Sequence, residues 1–460
     1  MHLDPVILSR IQFAFVISFH IIFPAFTIGL AAWLATLEAA LIVTGDVIYR
    51  RVFDFWIKVF ALSFAMGVVS GIVMAFQFGT NWSVLAERSG AIQGPLLGYE
   101  GFTAFLLEAT FFGVMLLGRS RVPPWFYFLS CCMVSLGTMF SSFWILANNS
   151  WMQVPIGHII VGGHIVPSDW KAIVLGRVMM VRWPHMLLAA VITTGMCVIA
   201  TGAWYTVRGK ALAEARVMLH WGLGFVAVMI PIQLFVGHLT GDYVLRDQPA
   251  KFAAIEARWK TQQPASEVLI AIPDARTERN LLSISIPKLG SFIDSGNWTA
   301  REYGLDTIPR RDWPPIIIPF LAFRGMVGAG MGMLAVSWIG VLLWGLGRLE
   351  RARWFLWPAF LSFPLGFVAI ICGWFTAEVG RQPWVIYGLL RTRDAVTPSL
   401  TTSDVMISLI GYILVYTVVY AFGFLYIYRL MRDGPVTEAL DSDVTPSRPL
   451  AVAMQTQPGE

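Results

Sequence analysis

Nine apolar runs divide this chain, near 12–42, 53–78, 96–118, 125–149, 184–207, 217–240, 315–346, 354–379 and 404–431. Each approaches or exceeds the roughly twenty residues a helix needs to cross a bilayer's hydrocarbon core. The expected fold is therefore an all-α integral membrane protein, with nine transmembrane helices in a bundle and one long outer loop. Composition agrees: 57% of residues are apolar and 13% charged, against about 25% charged in a soluble domain. The net charge of +5 comes from basic residues in short loops and implies no nucleic-acid partner. The first run lacks a small-residue cleavage site after it and reads as a retained helix, not a signal peptide. Cys131, Cys132, Cys197 and Cys372 all lie within apolar runs and form no CxxC or CxxCH motif. That spacing argues against thiolate zinc, iron–sulfur ligation and covalent c-type haem.

Loop charge orients the bundle. The short loops closing odd-numbered runs carry Arg50, Arg51, Arg119, Arg121, Arg208, Lys210, Arg216, Arg348, Arg351 and Arg353, and the ninth run ends on Arg429 and Arg432. The positive-inside rule puts the N-terminus outside and the C-terminal tail in the cytoplasm. Four regions follow: six helices over 1–240, an outer loop over 241–313, three helices over 314–432, and a disordered cytoplasmic tail over 433–460. Within the loop, AKFAAIEARWK has helix-forming composition and predicts a short surface helix over 250–260. The absence of internal repeats weighs against a secondary transporter.

Ionisable residues inside the runs mark candidate sites, because an intramembrane charge costs about 2.5–3.5 kcal/mol on insertion scales. Glu378 lies in WFTAEVGRQPW, about one turn inside the eighth run, with Arg381 three residues on and Pro383 stopping the helix. It reads as a metal ligand, a proton carrier or a substrate anchor. His20, in the first run, is a core histidine or an axial haem ligand. His185 opens the fifth run beside Trp183 and also reads as an interfacial histidine. His220 and His238 sit near opposite ends of the sixth run, where interfacial anchoring explains them. His158 and His164 share an outside loop and make a weak metal pair. Glu100 and Glu108 lie nearly on one face of the third run, roughly 12 Å apart along a helix, and suit a proton relay. Arg324 and Met326 lie in FLAFRGMVGAGMG of the seventh run. A methionine there is ordinarily packing; the nearby cation and a histidine make it a candidate thioether ligand.

The order and spacing of LSRIQFAFVISFH (8–20), FQFGTNWS (76–83), EGFTAFLLE (100–108), WILANNSWMQ (144–153), AAIEARW (253–259), the Phe323–Arg324–Met326 element and GRQPW (380–384) resemble subunit I of the cytochrome bd quinol oxidases. The resemblance covers nearly the whole chain to the end of the ninth run. It implies a multi-pass protein of the bacterial inner membrane, with a periplasmic loop, two haem b groups and one haem d. His185 and Met326 would ligate a low-spin haem b, with Arg324 beside it. His20 and Glu378 would hold the oxygen-reactive haem and the high-spin haem b, in either order. Arg381 would offset the Glu378 charge, and Trp374 would line the same wall. Glu100 and Glu108 would carry protons, with Asn149 contributing, while Lys251 and Glu256 would bind quinol. The short outer loop matches a subtype that includes cyanide-insensitive oxidases, in which a further haem b can replace haem d. His238 falls where some relatives carry an acid and receives no role. Expected partners are subunit II, a small single-helix accessory subunit, quinol, oxygen and membrane lipid.

The implied activity is oxidation of membrane quinol coupled to reduction of oxygen to water, electrogenic without a pump because protons are taken from the cytoplasm. A diheme cytochrome b electron shuttle is the alternative. It would place histidines facing each other across helices. A transporter using Glu100, Glu108 and Glu378 for ion coupling is the competing class.

Overall fold

In a bilayer core the backbone must satisfy its own hydrogen bonds, which a lone apolar segment does only as a helix. The computed structural model describes residues 4–435, so positions 436–460 of the expected disordered tail lie outside the described residues. Nine helices among the described residues are long and apolar enough to span: Pro5–Thr44, Val47–Thr80, Ser83–Leu117, Pro124–Gln153, Met179–Arg208, Leu212–Asp247, Ile317–Gly345, Arg353–Val379 and Thr402–Asp433. Several outrun the apolar runs that predicted them, because polar residues cap them beyond the membrane core. Asp4 accepts from the Val6 amide at 2.8 Å, Asp46 from the Ile48 amide at 2.9 Å, and Thr401 with Asp404 forms a reciprocal capping box. Pro364 interrupts the eighth helix, which resumes over Pro364–Val379.

The fifth helix is the axis of the bundle and packs against the first, fourth, sixth and eighth. Two apolar clusters seal it. One gathers Leu34, Phe53, Trp56, Phe60 and Tyr205; the other gathers Met196, Ile199, Leu223 and Phe355. At the end of the bundle away from the long loop, buried Glu38 meets Arg119 at 2.6 Å and buried Glu214 meets Arg51 at 2.9 Å. Arg119 also stacks on the rings of Phe53 and Tyr127.

The long loop is more ordered than its composition suggests. The sixth helix continues to Asp247, past the predicted boundary at 241. The expected surface helix is present only over Pro249–Ile255, and it is not on the surface. Residues 250–255 are all buried, wedged between the sixth and seventh helices. Its alanines allow close packing, which helix-forming composition alone does not reveal. A β-hairpin that the sequence reading did not anticipate follows, pairing Glu267–Asp274 with Arg279–Ile286 in antiparallel register. Arg258, 3% exposed, ties the loop together by meeting Asp294 at 2.8 Å and Glu302 at 3.9 Å. Removing one partner from such a buried pair leaves uncompensated charge and costs about 3–5 kcal/mol. Arg258→Met is therefore expected to open the loop, measured as faster limited proteolysis between residues 257 and 313. An unchanged cleavage rate would show that the pair does not hold the loop.

Candidate functional site

Glu378 is the next-to-last residue of the eighth helix, closer to its end than the sequence suggested. Both carboxylate oxygens are engaged. Oε1 accepts from Asn149 Nδ2 at 3.1 Å and Gln153 Nε2 at 2.9 Å, while Oε2 receives Arg381 Nη2. Gln153, fully buried at the C-terminus of the fourth helix, turns its own Oε1 toward the loop. There it accepts Lys251 Nζ at 2.6 Å and Gln248 Nε2 at 3.1 Å. One glutamine thus joins the eighth helix to the buried loop helix. Burial pushes the Lys251 ammonium well below its usual value, and the Glu378 carboxylate pulls it back. Arg182 also stands within electrostatic reach of Glu378 and donates to Ser150 Oγ at 3.1 Å. The centre therefore sets one carboxylate among three basic side chains. Arg381 Nε and Nη1 are buried without an acceptor among the described residues. That surplus of donors suits an additional anion such as a haem propionate.

The second centre lies one turn along the loop. Arg324 donates from Nε to the Val268 carbonyl at 2.8 Å, and its Nη2 meets Glu256 at 2.8 Å and Glu267 at 3.0 Å. The seventh helix, which carries Met326, is thereby clamped to the hairpin. Lys251 and Glu256, expected in one quinol site, point to different centres. Lys251 faces Glu378, and Glu256 faces Arg324. The buried stretch 249–256 bridges the two. Gln153, Gln248, Arg182 and Glu267 were not singled out from sequence. Gln153 closes the WILANNSWMQ block, which is the one signal that could have found it.

The histidines fit flat-macrocycle ligation. Ser70 Oγ lies 3.0 Å from His20 Nδ1, and its hydroxyl is directed to backbone carbonyls of its own helix. His20 Nδ1 is therefore the protonated nitrogen, and Nε2 keeps its lone pair. His185 Nδ1 is buried with no partner among the described residues. A side chain at Gly237 would come within 3.4 Å of the His185 ring, and one at Gly71 within 3.2 Å of His20. Each imidazole thus faces a glycine of the neighbouring helix, not a second histidine. Met326 turns its Sδ toward Gly373 of the eighth helix. Trp374 packs with Ile21, Ala25 and Met186, between the first, fifth and eighth helices. Three other histidines have neighbours of their own: His220 stacks on Trp344, His164 Nδ1 lies 3.2 Å from the Glu87 carbonyl, and His158 meets the Trp151 ring edge-on, its Nδ1 buried with no partner among the described residues.

Glu100 and Glu108 meet on the fourth helix. Eight residues of ideal α-helix would turn their side chains about 80° apart. A wide π-helical turn over Glu100–Phe105 absorbs about one extra residue and brings both to one side. Glu100 accepts from Ser141 Oγ at 2.8 Å, and Glu108 packs against Gly137, one turn away. Glu108 Oε1 is buried with no hydrogen-bond partner among the described residues.

Comparison with known proteins places this arrangement in a family. Residues 8–435 match the family model for cytochrome bd terminal oxidase subunit I. The chain is 31% identical to the cytochrome bd ubiquinol oxidase subunit 1 of Bacillus subtilis (strain 168), covering 94% of each. It is also 31% identical to the cytochrome bd-II ubiquinol oxidase subunit 1 of Escherichia coli (strain K12), covering 94% of this chain and 97% of that one. Among solved structures, the bd oxidase from Geobacillus thermodenitrificans superposes with a TM-score of 0.87 at 27% identity, over 94% of this chain and 99% of that one.

The loop acids generate a pH dependence. Burial, with repulsion from Glu256, pushes the Glu267 carboxyl up to about 8 against the pull of Arg324. Burial raises Asp294 to about 6 against Arg258. In both cases the folded protein holds a proton that the unfolded chain releases near pH 4.5 or 3.8. Their stabilisation is therefore complete below those values and is lost as pH rises through about 6 and about 8. Hydrogen exchange over 249–313 should accelerate beyond its intrinsic pH trend across that window, and Glu267→Gln should flatten the upper part. A wild-type profile that follows the intrinsic trend alone would contradict this.

Proposed function

The chain belongs to the cytochrome bd terminal oxidase subunit I family, and from that premise we propose that it binds quinol at the buried loop helix and reduces oxygen at the Glu378 side of the bundle. The family implies haem cofactors, a partner subunit II, and quinol and oxygen as substrates in a bacterial membrane. The observation that carries the proposal is the Lys251–Gln153–Glu378 connection, which puts a loop residue one side chain away from the intramembrane carboxylate.

Glu256, held by Arg324, accepts a proton as quinol is oxidised, and Glu267, protonated on the same guanidinium, releases its own proton outward before taking the one from Glu256. Lys251 orients the quinol oxygen from the other end of the stretch. Both protons leave on the loop side, which we assign to the periplasm from the loop charges. Haem, when bound, supplies the one-electron carriers and the oxygen-reducing centre. His185 and Met326 would hold a low-spin haem b. His20 Nε2 and Glu378 would hold the two high-spin groups, a haem b with a haem d or a further haem b. Arg381 and Arg182 would balance their carboxylates, and Trp374 would wall the site. Glu108, a buried acid without a fixed partner, passes protons inward from the cytoplasmic side with Glu100. Consumption of cytoplasmic protons makes turnover electrogenic without a pump.

Three measurements test this. The purified complex with subunit II should show both low-spin and carbon-monoxide-binding haem. Only low-spin haem would leave an electron shuttle, and no haem would exclude both redox readings. Met326→Leu should convert one low-spin signal to high spin while sparing carbon monoxide binding, and an unchanged spectrum would remove Met326 as a ligand. Glu108→Leu should slow oxygen consumption on the order of 10²-fold, the usual scale for a lost acid–base group, with haem content retained. Full activity in that variant would end the relay assignment.

A further inference from the structure

Apart from both centres, a cavity of about 510 Å³ opens at the end of the bundle that carries the long loop. Its walls come from the start of the first helix, the segment leading into the seventh and the turn leaving the eighth. It therefore lies at the level where three spans leave the apolar layer. Five arginines line it: Arg10, Arg310, Arg311, Arg391 and Arg393. Two are braced. Arg310 meets Glu278 at 2.6 Å and covers the Trp313 ring, while Arg391 is paired with Asp312 and covers the Trp384 ring. The other three have cationic capacity to spare. Among the described residues, the Arg311 and Arg393 side chains form ion pairs only with the acids next to them in sequence, at 3.8 Å and 3.4 Å. Arg10 makes no ion pair among the described residues and is exposed near the start of the first helix.

The remaining wall is mixed, with Val6, Trp313, Ile316 and prolines beside Gln382 and Thr392. The cavity thus offers guanidinium groups together with apolar surface. Arginine forks match phosphate oxygens in paired hydrogen bonds, and basic pockets between membrane helices take lipid headgroups. A neutral quinol headgroup would make no use of the charge on Arg10, Arg311 and Arg393. We propose that this cavity binds the phosphodiester headgroup of an acidic phospholipid from the leaflet on the loop side. The phosphate would lie between Arg10 and Arg393 and the glycerol backbone against Val6 and Ile316. The bound lipid would close the gap between the loop and the first and eighth helices.

The test uses the oxidase complex with its partner subunit in nanodiscs of phosphatidylcholine, with or without phosphatidylglycerol. On release into a native mass spectrometer, the wild type should retain phosphatidylglycerol. The Arg10→Gln/Arg393→Gln variant should retain roughly a hundredfold less, about tenfold for each charge-assisted hydrogen bond removed. Arg10→Lys/Arg393→Lys should keep most of the binding, and Arg208→Gln, at the opposite end, should keep all of it. Equal retention in wild type and the glutamine variant overturns the proposal. So does displacement of the lipid by inorganic phosphate at matched concentration, which would make the cavity an ion site. A glutamine variant that loses haem while holding phosphatidylglycerol also overturns it, because the arginines would then serve the cofactor. Melting of the variants in phosphatidylcholine alone checks that folding is intact.

Discussion

A carboxylate at the edge of the apolar layer must be surrounded by donors or protonated, and the site end of this bundle is arranged around that requirement. Glu378 draws one donor from its own helix end through Arg381. It draws two from the fourth helix through Asn149 and Gln153. Gln153 then passes the connection to Lys251 in the loop. No single element could satisfy Glu378. Its neutralisation therefore fixes how the fourth helix, the eighth helix and the loop sit against one another.

The other buried carboxylates show what is particular about this one. Glu38 and Glu214 each close on an arginine at 2.6–2.9 Å and hold helix ends together. They are structural acids. Glu108 has no such partner, and the π turn before it aims it at the same helix that Glu100 contacts. A buried acid that is neither paired nor fully hydrogen-bonded lacks the neighbour that would hold it charged.

The loop is where function and architecture meet. Its short helix is buried on all of residues 250–255, and Lys251 and Glu256 are presented to opposite neighbours. Arg324 links the hairpin to the helix that bears Met326, so a residue expected only beside a cofactor is also the anchor of the loop. The coupling is mechanical as well as electrostatic, since displacing the hairpin would take both Glu267 and the Val268 carbonyl from Arg324.

Apolar length and loop charge were enough to read nine spans, and rare ionisable residues within them marked His20, Glu108, Glu378 and Arg324. These features are local: hydrophobic runs and costly charges are visible one segment at a time. The sequence also carried, through the order of its motifs, the family to which the chain belongs. It could not show that Gln153 joins Lys251 to Glu378, that Glu267 competes for Arg324, or that the loop helix is buried. Those contacts link positions roughly sixty to more than two hundred residues apart, or depend on which face of a short helix meets the bundle. Only packing decides them, because a hydrogen bond is a matter of ångströms and direction, and neither is written in spacing along the chain.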